Sequence, residues 1–423
     1  MAEQTGVAQE QPVAADTKYV VHSAETYVHE PADLWTSRLD NGAASQAFRL
    51  VQKDDRFVWV GGEGEGKPVA GPGESARFKE DGTTAEKMVG YLDKEGITGA
   101  VLFPSIAQRG YAQIIDSAAL TDFFEPYNEW ILDLAGKSPR LRGLPLMNVD
   151  DPSKAVEKMG QYAKRGAAGF LIPMACGEGR RYDMPQFEAI WAKANELKLP
   201  LMMMNSSNRH SASESADKRK EALSHSVAAK LSHRATNAFA VRRSITAIIY
   251  TGAIERYPDL RIGLVGFGAS WAPFAMIRAD EVYQVRPERT GPPTRVPPNV
   301  ASDEIIKQTI HLREGADKAI KGDDRSGTTG MAPEGVGFYF KDGDQFSDHF
   351  RKGLFLTFNL RGKLSVRLRH YLGQEGLMWG HRYPSLSDEI PMVQERLNEA
   401  LERLSGDDKT RLVESNAAKI FKF

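Results

Sequence analysis

Near the C-terminus, a short apolar run is followed by two residues that could bind an anion. Residues 377–380 read Leu-Met-Trp-Gly, and His381, Arg382 and a Tyr-Pro turn come directly after them. If this run is a buried barrel strand, the residues after it lie at the barrel mouth, where barrel enzymes carry their catalytic side chains. Arginine is a permanent cation with a planar set of donors, so Arg382 together with His381 could hold a carboxylate or a phosphate.

A second group of polar residues surrounds the first predicted strand. Glu25 and Tyr27 could form an acid–base pair, because side chains two positions apart in a strand point to the same face. The alternative is a hydrogen-bonded strand end without a catalytic role, in which Arg382 pairs with Glu25. Arg361 adds another cation that would serve either interpretation. Asn205, directly after a run of three methionines, is a further candidate for binding a ligand.

Composition limits the classes of protein that this chain can represent. Its 423 residues suffice for one large α/β barrel or two smaller domains, and a net charge of −1 gives no electrostatic basis for binding nucleic acid or an anionic membrane. The single cysteine, Cys176, excludes an intrachain disulfide and a cysteine-rich metal site. No apolar run approaches about 18 residues, so we expect no transmembrane helix and a cytoplasmic protein. Residues 1–17 are small and polar and predict a disordered tail.

The rest of the chain alternates between short apolar runs and helical patterns. Eight such repeats favour a single (β/α)8 TIM barrel over residues 18–423. An open, doubly wound sheet is the alternative, but we find no glycine-rich phosphate fingerprint after a predicted strand. The predicted strands span residues 19–23, 100–104, 142–147, 169–173, 199–204, 261–265, 354–358 and 377–380.

Three stretches are too long and too polar to be plain connections between barrel elements. They span about residues 40–83, 205–236 and 284–343, and the first contains a possible hairpin at residues 57–60. Connections longer than about 15 residues are uncommon in compact domains unless they serve a function. We therefore predict long loop insertions, which offer enough chain to build a large interface.

Six sequence blocks occur in an order and spacing that point to one superfamily. They are residues 30–35 (Glu-Pro-Ala-Asp-Leu-Trp), 127–130 (Tyr-Asn-Glu-Trp), 256–261 (Arg-Tyr-Pro-Asp-Leu-Arg), 270–273 (Ser-Trp-Ala-Pro), 379–384 with its Trp-Gly and Tyr-Pro, and 416–419 (Asn-Ala-Ala-Lys). Through these blocks the chain resembles the amidohydrolase superfamily, in the branch that includes aminocarboxymuconate semialdehyde decarboxylase. Within that branch it is most similar to a group of TIM-barrel non-haem di-iron monooxygenases that act on coenzyme A-linked substrates.

The resemblance implies a divalent metal such as iron or zinc, held by side chains at the strand ends. The family motif on the last strand usually reads Trp/Phe-Gly-Ser-Asp-Tyr-Pro-His, and here His381 and Arg382 stand in place of its Ser and Asp. The other departures are Ser23 and Tyr27 on strand one, the methionines of strand five, Gly266 to Gly268 on strand six, and Leu360 and Arg361 after strand seven. Because five strand ends depart from the family's ligands, and because an arginine does not ligate a metal, we expect no metal cofactor and loss of the metal-ligand motifs.

Three functions remain open at this point. The first is a non-catalytic or structural subunit that partners a metal-bearing paralogue, an oxygenase or hydrolase acting on small organic acids or coenzyme A-linked substrates. The second is a metal-free hydrolase or lyase that uses Glu25, Tyr27, His381 and Arg382. The third is a binding protein for an anionic small molecule. The expected partners are a paralogous subunit or a second copy in a homodimer, together with a small acid or a coenzyme A thioester, and not nucleic acid or a membrane.

Overall fold

The computed structural model describes most of the chain outside the N-terminal tail and the long insertions. The described residues are 18–39, 47–53, 56–61, 67–69, 82–177, 180–209, 238–284, 340, 344–360, 363–384 and 392–423. The structural findings concern these residues. The tail predicted for residues 1–17, most of the three predicted insertions, and Arg361 lie outside them.

Eight parallel strands form a ring at the centre of the described chain, and three further strands form a separate antiparallel sheet. The strands are β1 (His22–Val28), β2 (Phe48–Lys53), β3 (Arg56–Gly61), β4 (Lys67–Pro68), β5 (Gly99–Pro104), β6 (Leu141–Gly143), β7 (Phe170–Leu171), β8 (Leu201–Met204), β9 (Ile262–Val265), β10 (Leu354–Phe358) and β11 (Leu377–Trp379). β5, β8 and β10 are buried along their whole length. Their nearly continuous apolar sequences are typical of strands covered on both faces.

Hydrogen bonds join the two runs of parallel strands into a closed ring. One run is β1, β5 and β6, and the other extends from β7 to β11. A bridge between Leu146 and Leu171 connects the runs on one side. On the other side, the Arg382 N–H donates to the Glu25 carbonyl at 2.8 Å and the Tyr27 N–H donates to the Tyr383 carbonyl at 2.7 Å. The predicted (β/α)8 TIM barrel is confirmed, and the strand carrying Glu25 adjoins the strand carrying Arg382.

The first strand does not lie where the sequence predicts it. β1 spans His22–Val28, whereas the predicted strand spans residues 19–23, so only residues 22 and 23 are common to both. The strand tolerates buried polar residues because they satisfy one another: the Thr26 hydroxyl donates to Ser23 Oγ at 2.8 Å, and Ser23 Oγ donates to the Glu25 carbonyl at 3.0 Å. Glu25 and Tyr27 therefore lie within the barrel strand and not in the connection after it.

Helices follow the strands around the outside of the ring. They are α1 (Ala85–Glu95), α2 (Gly110–Gln113), α3 (Ser117–Gly136), α4 (Pro152–Lys164), α5 (Glu188–Leu197), α6 (Ala238–Tyr250), α7 (Ala253–Arg256), α8 (Ala272–Gln284), α9 (Phe346–Gly353), α10 (Lys363–Arg367), α11 (Arg369–Leu372), α12 (Val393–Leu401), α13 (Gly406–Thr410) and α14 (Asn416–Phe421). α4 begins where the sequence has a capping residue before a proline: the Asp151 carboxylate caps two backbone N–H groups and Pro152 occupies the first turn. None of the described helices combines the length and the apolar character needed to cross a lipid bilayer.

The small antiparallel sheet covers the chain that leaves β1. Trp59 on β3 meets Trp35 edge to face, with ring centroids 5.4 Å apart. Trp35 in turn stacks on Phe123 of α3 at 4.7 Å, and its indole N–H donates to the Phe123 carbonyl at 2.8 Å. The hairpin predicted near residues 57–60 is thus present as β2 and β3, and aromatic packing fixes it to the barrel.

Candidate active site

Glu25 is the centre of a hydrogen-bonded group at one end of the barrel. One carboxylate oxygen accepts a hydrogen bond from the Tyr27 hydroxyl at 2.8 Å and lies 2.9 Å from Arg382 Nε. The other oxygen accepts a hydrogen bond from the Thr357 hydroxyl on β10 at 2.5 Å. Burying a carboxylate is costly unless it is paired and hydrogen-bonded, and these three contacts supply both requirements. The predicted contact between Glu25 and Arg382 is therefore present.

Two glycines allow neighbouring strands to approach this group. A Cβ on Gly380 would lie 2.6 Å from the Glu25 Cβ, which is closer than two such atoms can come. A Cβ on Gly266, whose φ is +80°, would lie 3.3 Å from the Asn205 Cβ and 3.9 Å from a carboxylate oxygen of Glu25. Asn205, at the end of β8, thus lies beside the Glu25 group. The glycines after β9 and β11 give the carboxylate its space.

Arg382 reaches the group from an uncommon backbone conformation. Its φ is +65°, in the left-handed region that residues other than glycine seldom adopt. Such backbone strain costs on the order of 1 kcal/mol and is found preferentially at functional sites. The Arg382 side chain is 26% exposed, whereas that of Glu25 is 2% exposed. The buried Glu25 carboxylate therefore holds an arginine whose side chain is partly exposed.

Tyr27 acts in this group as a hydrogen-bond donor. Burial raises the pKa of its hydroxyl above the usual value of 10.0, and the neighbouring Glu25 charge raises it further. The phenol consequently keeps its proton, which it donates to Glu25. In the acid–base pair predicted from the sequence, Tyr27 is thus the protonated member.

His381 faces a different part of the molecule from Arg382. Its Nδ1 accepts the N–H of Tyr383 at 3.1 Å, so the ring proton lies on Nε2 and is donated to the Tyr91 hydroxyl on α1, 3.0 Å away. The imidazole is buried and also packs edge to face against Trp379 at 5.6 Å. The structure therefore brings together Glu25, Tyr27, Arg382 and Asn205, and it turns the His381 ring towards α1.

Sequence reasoning did not single out Thr357. It is the one polar residue in the run Leu-Phe-Leu-Thr-Phe of β10, and it is buried. A hydroxyl inside an otherwise apolar barrel strand needs a partner, and this requirement was the available signal. Its partner, Glu25, is 332 residues away in sequence, so no local pattern could identify the contact.

A second acid–arginine group, also missed, joins the connections after β6, β7 and β8. The Asp150 carboxylate lies 2.8 Å from Arg209 Nη2 and 2.9 Å from Arg180 Nη2. Arg209 also donates to three backbone carbonyls, those of Tyr111, Ile114 and Ile115. Because these donors come from one rigid guanidinium, the group holds three strand ends and the chain before α3 in fixed positions.

The described residues at the barrel mouth do not form a ligand set for a metal ion. Among them, no three His, Cys, Asp or Glu side chains come together as a group that could hold one. The Glu25 carboxylate is engaged by Tyr27, Thr357 and the cationic Arg382. We therefore assign no chemical step to a metal.

Solved structures show the same fold. An amidohydrolase from Mycobacterium avium subsp. paratuberculosis K-10 superposes with a TM-score of 0.66 at 15% identity, over 96% of this chain and 100% of that one. A dihydroxybenzoic acid decarboxylase from Polaromonas sp. JS666, with bound manganese and the inhibitor 2-nitroresorcinol, gives 0.57 at 15% identity over 95% and 97%. A 5-carboxyvanillate decarboxylase from Novosphingobium aromaticivorans DSM 12444, complexed with manganese, gives 0.59 at 14% identity over 99% and 100%. Among curated proteins, none matches this chain.

Two of these structures contradict the expectation of no metal cofactor, because both hold manganese in this fold. That expectation rested on replaced residues at five predicted strand ends, of which Arg382 is one. The similarities also support neither a non-catalytic role nor a likeness to monooxygenases.

The family itself follows from the sequence match. The family model described as amidohydrolase matches residues 70–306, which is more than half of the chain. The matched part begins before β5 and extends beyond α8, so it includes the connections that carry Asp150, Asn205 and Gly266. The six blocks and the closed barrel agree with this match, and the chain belongs to the amidohydrolase family.

Proposed function

We propose that this protein is an enzyme that acts on a small organic acid, whose carboxylate is bound by Arg382 at the mouth of the barrel. The observation that carries the proposal is the Glu25–Arg382 pair, in which a buried carboxylate holds a partly exposed arginine. Strand ends of TIM barrels are where substrates of these enzymes bind. A cation held there by a buried anchor favours an anionic substrate.

The chemistry of arginine supports a carboxylate as the bound group. A guanidinium has five N–H donors in a planar fork, so it can hold Glu25 and a ligand carboxylate at the same time. Glu25 sets the orientation of that fork, and Thr357 and Tyr27 fix Glu25 in turn. Asn205, beside the same group, adds an amide that can donate to or accept from polar substituents of the acid.

Decarboxylation is the reaction class that we propose first. In it the bond between the carboxyl carbon and the substrate breaks, carbon dioxide leaves, and a proton takes its place. Two of the solved proteins with this fold are decarboxylases of aromatic acids, and they hold manganese. A divalent cation supplies Lewis-acid stabilisation of developing negative charge when it is bound in such enzymes. Activity of this protein should therefore be measured with Mn²⁺ present. The alternative reaction is hydrolysis of a substrate that carries a carboxylate.

Ligand stabilisation provides the first test. A panel of benzoate, 2,6-dihydroxybenzoate and 5-carboxyvanillate should raise the unfolding temperature, since a ligand at 100 times its Kd adds about 2.7 kcal/mol to the free energy of unfolding. Product formation and carbon dioxide release are then measured for the ligands that bind, with and without Mn²⁺. Failure of every carboxylate to stabilise the protein contradicts the proposal.

The substitution Arg382→Lys identifies the binding residue. Lysine keeps the charge next to Glu25 but lacks the planar fork, so we expect carboxylate affinity to fall at least about tenfold, as for a lost bidentate contact. Arg180→Lys is the matched control, because Arg180 is also a partly exposed arginine that pairs with a buried carboxylate. Equal losses in the two variants would remove Arg382 from its proposed role.

A further inference from the structure

One tyrosine outside the barrel strands contacts the residues on both sides of Arg382. Tyr91 lies on α1, and its hydroxyl accepts a hydrogen bond from Nε2 of His381 at 3.0 Å. Its ring stacks on that of Tyr383, with the ring centres 3.4 Å apart and the planes 9° from parallel. It also meets the His381 ring edge to face at 5.5 Å. Tyr91 therefore contacts the side chains immediately before and immediately after the arginine.

β1 holds the same segment through its main chain. The Arg382 N–H donates to the Glu25 carbonyl at 2.8 Å, and the Tyr383 carbonyl accepts the Tyr27 N–H at 2.7 Å. These bonds fix the backbone on which the arginine is carried. The contacts of Tyr91 fix the two neighbouring side chains, so the segment after β11 is restrained from both β1 and α1.

α1 also binds the beginning of α12, which follows this segment in the chain. The buried Glu95 carboxylate accepts the N–H of Met392 at 2.9 Å and that of Val393 at 3.4 Å. The side-chain amide of Gln394 donates to the Gly96 carbonyl at 2.8 Å. The two described ends of the connection between β11 and α12 are thus both attached to α1, and Tyr91 makes the contacts at the end that carries Arg382.

We infer that Tyr91 is a positioning residue, which keeps Arg382 in the orientation that binds the carboxylate of the substrate. The φ of Arg382 is +65°, and a residue other than glycine keeps such a conformation only where its surroundings restrain it. Tyr91 restrains the neighbour on each side. An arginine that is already oriented loses less conformational freedom when a ligand binds, so Tyr91 acts on affinity through Arg382. The inference rests on the proposed function.

Two substitutions of Tyr91 separate its hydrogen bond from its stacking. Tyr91→Phe loses only the hydrogen bond to His381, whereas Tyr91→Leu also loses the stacked ring. With Mn²⁺ present, the Kd for benzoate, 2,6-dihydroxybenzoate or 5-carboxyvanillate should rise about fivefold in Tyr91→Phe and about 25-fold in Tyr91→Leu, as for one lost hydrogen bond and one lost aromatic pair. Titration calorimetry measures Kd, and thermal unfolding verifies that the variants are folded.

Tyr250→Phe is the matched control. The Tyr250 hydroxyl donates to the Ala279 carbonyl at 2.7 Å, and its ring stacks on that of Tyr283. It is therefore also a partly buried tyrosine with one hydrogen bond and one stacked ring, but it lies at the end of α6 and contacts α8. Its Kd for the three carboxylates should equal that of the wild type. An unchanged Kd in both Tyr91 variants overturns the inference.

Combination with Arg382→Lys distinguishes positioning of the arginine from a general loss of structure. If Tyr91 acts through Arg382, Tyr91→Phe should change Kd by less than about twofold in the Arg382→Lys protein, because the two effects are then not additive. A fivefold rise in both backgrounds would show that Tyr91 affects the ligand by another route, and it overturns the inference.

Chemical modification of Arg382 tests the restraint without a ligand. Phenylglyoxal modifies guanidinium groups, and mass spectrometry of the peptides gives the rate at each arginine. The rate at Arg382, relative to the exposed Arg278, should rise about threefold or more in Tyr91→Leu, since a less restrained arginine leaves its buried carboxylate more often. An unchanged relative rate overturns the inference whether or not a carboxylate binds. Failure of all three carboxylates to bind the wild type contradicts the proposed function instead.

Discussion

Two buried carboxylates near the strand ends pair with arginines: Glu25 with Arg382, and Asp150 with both the partly exposed Arg180 and the buried Arg209. Arg382 and Arg209 differ most in their access to solvent. Arg209 is 3% exposed and its partner Asp150 is 5% exposed. Arg382 is 26% exposed, although its partner Glu25 is buried as deeply as Asp150. Arg209 also donates to backbone carbonyls, whereas the other partners of Glu25 are the hydroxyls of Tyr27 and Thr357.

The difference separates a structural ion pair from a binding site. Arg209 ties connecting segments together, so its charge is used entirely inside the protein. Arg382 rests on a similar buried anchor, but hydroxyl donors share the anchor and the Arg382 side chain is partly exposed. A buried anchor with an accessible cation is what an anion-binding site needs, because orientation is fixed before the ligand arrives. The same ion-pair chemistry thus serves stability in one group and, in our proposal, substrate binding in the other.

The largest expected effect comes from breaking the fully buried pair. Asp150→Ala leaves the Arg209 charge buried without its carboxylate, and this should lower the free energy of unfolding by about 3–5 kcal/mol. Urea unfolding monitored by circular dichroism measures the loss. Asp183→Ala is the control, because Asp183 pairs with the exposed Arg181, and exposed pairs contribute about 0–1 kcal/mol. A loss below about 1 kcal/mol in Asp150→Ala would show that Arg209 is not held by charge.

Glu30 is a third buried carboxylate, to be compared with Glu25 and Asp150. Among the described residues, backbone N–H groups and not an arginine bind it. One oxygen accepts the N–H groups of Ile106 and Ala107, and burial raises the pKa of the carboxyl from 4.5 to about 7. A pKa raised by folding means that the native state binds the proton more tightly than the unfolded state. Its stabilising contribution is complete below about pH 4.5 and is lost as the pH rises through about 7.

The corresponding variant is Glu30→Gln, which mimics the protonated carboxyl at every pH. The wild type should lose about 3 kcal/mol of unfolding free energy relative to Glu30→Gln between pH 4.5 and pH 8, since each pKa unit is worth 1.36 kcal/mol. Unfolding curves of both proteins across this range measure the difference. If the unfolding free energies of the wild type and of Glu30→Gln change with pH in parallel, the pKa of Glu30 is not raised by folding. A buried carboxylate at this end of the barrel would then be stable in its charged form without an arginine.

The barrel could be predicted from the sequence because its strands follow one another as apolar runs with regular helical patterns between them. The end of β11 was also predictable, since Gly380 and the residues after it form a local motif. The position of β1 was not, because its polar residues are stabilised by one another and by β10. Periodicity reports which side chains avoid water, and it gives no indication of buried hydrogen bonds between distant strands.

The candidate site was predictable to the same limited extent. Glu25 was singled out as an acid on the first strand and Arg382 as a cation after the last one, and the contact between them is present. The direction of the His381 ring was not predictable, because it depends on the bend of the chain after β11 and on hydrogen bonds with Tyr383 and with Tyr91 on α1. Asp150, Arg180 and Arg209 were missed since their contacts join separate connections, and each residue alone is an ordinary surface type.

The smallest expected effect tests whether the hydroxyl donors matter to the Glu25 anchor. Thr357→Val keeps the shape of the side chain but removes the donor to the second oxygen of Glu25, at an expected cost of about 1–2 kcal/mol in unfolding free energy. Thr246→Val is the control, since that hydroxyl donates to the carbonyl of Arg242 in its own helix and its loss should stay within about 0.5 kcal/mol. Because Thr357 acts only through Glu25, carboxylate affinity in Thr357→Val should fall less than in Arg382→Lys.

The double variant Thr357→Val, Arg382→Lys should depart from additivity by at least about 0.5 kcal/mol, since both residues hold one carboxylate. Additive losses would show that Arg382 alone fixes Glu25, and the two acid–arginine groups would then differ only in exposure.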